Sequence, residues 1–103
     1  MYKEILDKYG EEYILRQLAE ECNELAQAAL KYIRAKRGET PMRVDEAVEH
    51  LMEEMADVEV VLDAIRDVIL TTDQINDVCG IAQAKLQRWI SRMVDGDMDE
   101  EVW

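Results

Sequence analysis

Five carboxylates stand where they could do chemistry. Glu20, Glu21 and Glu24 lie in EECNEL, and Glu54 and Asp57 lie in EEMADV about thirty residues later. A helix turns by about 100° per residue, so the face each residue takes follows from its spacing. Across 11–36, the residues Ile14, Leu18, Cys22, Leu25, Ala29, Tyr32 and Ile33 form one apolar stripe. Glu21 falls about 20° beyond that stripe's edge, and Glu24 about 60° further round. Across the next helical segment, Val44, Val48, Leu51, Met55, Val58, Leu62, Ile65 and Ile69 form the expected core face, widened by Val61 and Val68. Glu54 falls inside this stripe, between Leu51 and Val61, and Asp57 at its edge. Glu49, Glu53, Glu59, Asp63 and Asp67 point elsewhere and are expected in water.

A carboxylate near a core must be paired, protonated or bound to a metal. Basic partners are scarce on these faces. Two carboxylates at i and i+3 project from one helix face about 5–6 Å apart. Two such pairs, Glu21 with Glu24 and Glu54 with Asp57, could share a divalent cation. Oxygen-only ligation favours Mg²⁺ or Mn²⁺ over Zn²⁺. The competing reading has the same residues at the boundary of a core, reaching water or a partner subunit's bases.

These residues need two long helices to hold them, and the chain supplies four helical segments. YKEILDKY is expected as a short first helix, stopped at Gly10. A second runs from Glu11 to about Lys36, with basic residues in its last turn. The loop GETPMR leads to a third, from about Asp45 to Leu70. TTD caps a fourth, which ends near Val94. Short loops between long amphipathic helices imply an all-α antiparallel bundle of four helices per chain. The domain is expected to span 1–95, followed by an acidic tail over 96–103 that is loose except where Trp103 docks. Apolar surface left over on Val60, Ala64 and Leu70 implies completion by homo-oligomerisation, as a dimer or tetramer.

The 103 residues suit one domain, and 49% are hydrophobic, which argues against disorder. One proline, four glycines and no phenylalanine favour helix. The formal charge of −12 makes nucleic-acid backbone a poor partner. Cys22 and Cys79 lack metal-ligand spacing and are expected as free, buried thiols. With no signal-peptide pattern and no membrane-length apolar run, a cytoplasmic protein without a membrane partner is expected.

EECNELAQAALKYIR followed by EEMADVEVVLDAI resembles the all-α nucleoside triphosphate pyrophosphatases of the MazG-like superfamily, over roughly residues 10–93. The matching motifs are EExxE at Glu20, Glu21 and Glu24, and ExxD at Glu54 and Asp57. The segment between Glu24 and Glu54 is at the long end for that family. RGETPMR within it is either a lid over a nucleotide or a connector. The resemblance implies hydrolysis of a (deoxy)nucleoside triphosphate between the α and β phosphates, giving a monophosphate and pyrophosphate. It implies Mg²⁺ on Glu21, Glu24, Glu54 and Asp57, with Glu20 auxiliary, holding a further ion or orienting water. Metal ions between protein and phosphates would let an acidic chain bind a polyanion.

Further candidates flank these motifs. Lys85 and Arg92 lie beside an apolar stripe of Ile75, Cys79, Ala82, Leu86, Trp89 and Met93; they are read as phosphate contacts or as snorkelling surface cations. Gln17 and Lys31 are further substrate-binding candidates, and Tyr13 and Tyr32 flank Glu21 with Gln17. His50 lies one turn before Glu54 and is read as a surface residue. A di-iron bundle would need Glu-x-x-His, but Ala47 precedes His50 by three, so that class is excluded. The remaining alternative is a non-catalytic acidic oligomer acting as an adaptor or regulator.

Overall fold

In the computed structural model, residues 1–96 are described; they are helical, with no strand among them. The four helices are α1 (Tyr2–Tyr9), α2 (Glu11–Lys36), α3 (Val44–Val68) and α4 (Thr72–Asp95). They match the four expected segments to within two residues at each end. The expected acidic tail falls, past Gly96, outside the described residues.

The chain divides into two compact units, Met1–Ile69 and Leu70–Trp103. In the first, α2 packs chiefly along α3, and α1 packs against both. Gly10 alone separates α1 from α2. Its φ of 89° lies in the left-handed region, which a residue with a Cβ rarely enters. The sharp turn stacks Tyr9 of α1 on Tyr13 of α2, with ring centroids 4.7 Å apart. Residues 37–43 join α2 to α3; the amide of Glu39 donates to the Arg34 carbonyl, drawing the end of α2 to a close.

The residues buried along α2 and α3 are mostly small. Ile14, Ala28 and Ala35 are buried on α2, and Ala47 and Ala64 on α3. On α2 these positions recur every seventh residue: Ile14, then Glu21, then Ala28, then Ala35. A seven-residue period holds one face of a helix against its partner, and alanine lets the two backbones approach closely. The buried line therefore lies to one side of the apolar stripe expected from the larger residues. Ile33 and Cys22 on α2, and Val44 and Met55 on α3, are exposed within the single chain. Leu18, Leu25, Ala29 and Tyr32, with Val48, Leu51, Val58, Leu62 and Ile65, are half-buried at the seam's flanks.

The second unit is represented by α4. Thr71 caps it: its hydroxyl accepts from the Gln74 amide at 3.2 Å, and the Gln74 side chain accepts from the Thr71 amide at 2.9 Å. This reciprocal pair satisfies two donors at the start of the helix. Within the chain, Cys79, Ala82, Leu86 and Met93 of the expected stripe are exposed, as is Trp89 at 46%. Ile75 is half-buried. Both cysteines are free, as expected, but exposed rather than buried.

Candidate metal centre

Helix α2 delivers Glu21 and Glu24 to the seam, and α3 delivers Glu54 and Asp57. One carboxylate oxygen from each of the four lies within 4.8 Å of all the others. Glu21 is half-buried because it occupies the seven-residue line otherwise taken by Ile14, Ala28 and Ala35. Glu54 is half-buried one heptad after Ala47, which is fully buried. Glu24 and Asp57, three residues on in each helix, are exposed at the mouth. Each pair thus has one member inside and one outside.

Each inner member leaves one oxygen without a partner. Oε2 of Glu21 and Oε2 of Glu54 are both buried, and neither accepts a hydrogen bond. Among the described residues the ion pairs are Lys3–Asp7, Arg16–Glu12, Arg43–Asp45 and Arg66–Asp63, so none reaches the four carboxylates. Buried polar atoms are nearly always paired, so two orphaned carboxylate oxygens in one cluster of acids call for a compensating group.

Desolvation raises the pKa of Glu21 above the ordinary carboxylate value, and the charges of Glu24, Asp57 and Glu54 and a hydrogen bond with Glu24 raise it further. Glu54 is also raised. Desolvation is the main cause, followed by a hydrogen bond to Glu24 and then the charges of Glu24, Asp57 and Glu53. With all four groups ionised, no donor is present; once Glu54 takes a proton, it can donate to Glu24. A divalent cation held by these groups would offset half of the cluster's negative charge and could supply the partner the buried oxygens lack. The donor set is oxygen alone, which suits a hard ion such as Mg²⁺ or Mn²⁺.

The other candidates take different places. Glu20 is exposed on α2 and is not one of the four converging groups. Gln17 is half-buried and lines a mostly apolar cavity with Tyr9 and Tyr13. Lys31 lines a cavity with Glu24, Gln27, Ala28, His50 and Glu54. His50 is exposed, as expected for a surface residue, yet it stands in the same cavity. Lys85 and Arg92 are half-buried on α4, in the second unit. Gln27 was not singled out by the sequence reading. Its signal was present in the recurrence of Glu24, Gln27, Ala28 and Lys31 at i, i+3, i+4 and i+7.

No family model, curated protein or solved structure matches the chain.

Proposed function

We propose that this chain is a Mg²⁺-dependent nucleoside triphosphate pyrophosphohydrolase of the MazG-like kind. The observation that carries the reading is the convergence of Glu21, Glu24, Glu54 and Asp57, with two buried oxygens left unpaired. These are the residues at which the EExxE and ExxD resemblance places a metal site. The helices that hold them were read from sequence independently of that resemblance.

When bound, Mg²⁺ neutralises the phosphates and lowers the pKa of a coordinated water. The chain's own residues do the rest. Glu21 and Glu54 are fixed by the seam and preorganise the inner half of the cation site, since their positions on packed helices cost little to hold. Glu24 and Asp57 complete it at the solvent-facing mouth, where a triphosphate can enter. Glu20, exposed on the turn before Glu24, is the group assigned to orient or deprotonate the attacking water. In the reaction, the water oxygen bonds to the α-phosphorus and the bond from that phosphorus to the α–β bridging oxygen breaks. Pyrophosphate leaves and the water's proton passes to a base.

The finer architecture belongs to the same proposal. Gln17 of α2 shares a cavity with Val60 and Val61 of α3, whereas Lys31, further along α2, shares one with His50, earlier in α3. That order supports an antiparallel α2–α3 pair. Leu15, Leu30, Ile33, Met52, Met55 and Val60 are exposed in the first unit, which supports a homodimer or homotetramer covering them.

The test is a panel of ribo- and deoxynucleoside triphosphates incubated with Mg²⁺, with pyrophosphate and orthophosphate assayed separately. Pyrophosphate release that EDTA abolishes, and that Glu21→Gln or Asp57→Asn lowers by at least about 100-fold, is expected. Orthophosphate as the sole product, or no turnover with any nucleotide, would reject the assignment and leave the non-catalytic adaptor.

A further inference from the structure

Two cavities flank the carboxylates within the first unit. One, of about 360 Å³, is lined by Glu24, Gln27, Ala28, Lys31, His50 and Glu54. The other, of about 210 Å³, is lined by Tyr2, Tyr9, Tyr13, Gln17 and aliphatic neighbours. They differ in their relation to the metal candidates. The polar cavity includes two of the four carboxylates. The apolar one includes none, and Gln17 is four residues before Glu21. A nucleobase is tied through its ribose to the α-phosphate. With the phosphates held at the carboxylates, the polar cavity is the space continuous with them, since Glu24 and Glu54 line it, whereas the apolar cavity lies one helical turn away.

The lining of that cavity is a set of donors. Glu24, Gln27, Ala28 and Lys31 share one face of α2, while His50 and Glu54 are one turn apart on α3. With Glu24 and Glu54 engaged by a cation, the groups left for a ligand are the Gln27 amide, the Lys31 ammonium and the His50 imidazole. Among the described residues, none of these three side chains is engaged in a hydrogen bond or ion pair. An ammonium can only donate, whereas a neutral imidazole and an amide each offer both roles. The cavity has one fixed positive charge beside two carboxylates, and no Phe, Tyr or Trp lines it. That composition suits a neutral ring rich in acceptors better than a further phosphate.

The geometry points to a base-reading subsite in which Gln27, Lys31 and His50 select nucleotides whose base presents a carbonyl at pyrimidine C4 or purine C6, as uracil, thymine and guanine do. Cytosine and adenine present an exocyclic amine at the corresponding position, which would set a donor against the Lys31 ammonium. A site built to donate rejects a group that cannot accept, because its own donors are then left unpaired. The inference rests on the proposal that the carboxylates hold a nucleoside triphosphate, and it adds which class of nucleotide that is.

Binding of nonhydrolysable α,β-imido analogues tests it apart from the reaction. The analogues of UTP, GTP, CTP and ATP, together with inorganic tripolyphosphate, are titrated with Mg²⁺ into the full chain by calorimetry. The UTP and GTP analogues should bind about tenfold more tightly than those of CTP and ATP, the value of one charge-assisted hydrogen bond. Lys31 is exposed, so Lys31→Met should fold normally; it should erase that preference while leaving tripolyphosphate binding unchanged. Equal weakening of all five ligands would make Lys31 a phosphate contact and overturn the inference. So would a wild-type protein that binds all four nucleotides alike, or a preference that is lost in Tyr13→Ala and kept in Lys31→Met. A protein that shows the carbonyl preference but releases no pyrophosphate from hydrolysable nucleotides would support the subsite and reject the reaction.

Discussion

Glu54→Gln should reverse its effect on stability according to whether Mg²⁺ is present. Glu54 is half-buried, its Oε2 has no partner, and its ionisation is opposed by desolvation and by Glu24, Asp57 and Glu53. Glutamine keeps the shape, removes a charge and supplies an amide that can donate to Glu24. Without metal, the variant should therefore melt above the wild type at neutral pH. With Mg²⁺ at a hundred times its Kd, binding stabilises the wild type by about 2.7 kcal/mol. For a chain of this size each kcal/mol moves Tm by about 4–8 °C, so the rise is roughly 10–20 °C. Even an outer partner of a metal ligand can cost 10–100-fold in affinity, so losing one of four oxygen ligands should cost at least about 100-fold. The same Mg²⁺ concentration then only equals the variant's Kd, and its gain shrinks to about 0.4 kcal/mol, roughly 2–3 °C. Thermal melts monitored by circular dichroism, with Mg²⁺ and with EDTA, give both numbers. A Glu54→Gln protein that melts below the wild type in EDTA, or rises as far in Mg²⁺, would refute the reasoning.

Three further perturbations separate the parts. Glu21 and Glu54 both titrate above the ordinary value of 4.5, so between that value and their raised pKa the folded state binds more protons than the unfolded one. Their contribution to metal-free stability should fall as pH rises through that window; urea melts from pH 4.5 to 8 should show this slope, and Glu21→Gln/Glu54→Gln should lose it. Ala47→Leu places a larger side chain at a position with 0% exposure in the seam and should cost about 1–3 kcal/mol. It should also weaken Mg²⁺ binding measured by calorimetry, because Glu54 lies one heptad further along α3. Thr71→Ala removes the hydroxyl that accepts from the Gln74 amide, while the residue-71 amide can still donate to the Gln74 side chain; it should cost about 1 kcal/mol, read as faster hydrogen exchange in that helix's first turns with Mg²⁺ affinity unchanged.

The helices were legible in the sequence because their signals are local. Gly10, the basic last turn before Gly38, and Thr71 with Gln74 mark ends through backbone groups only a few residues away. The spacing of Glu21 with Glu24, and of Glu54 with Asp57, likewise places each pair on one face without reference to any partner. What spacing could not decide was which side of each helix would meet the other. The expected core ran through Cys22, Ile33 and Met55, which are exposed, whereas Ala28, Ala35, Ala47 and Ala64 are buried. Close approach between backbones depends on the absence of bulk on both helices at once, and one segment's periodicity does not contain that information. Sequence alone therefore determined which carboxylates were paired and how far apart on each helix. The docking of α2 on α3 decided that Glu21 and Glu54 lie inside, that Glu24 and Asp57 lie at the mouth, and that Lys31 and His50 share a cavity with Glu24 and Glu54.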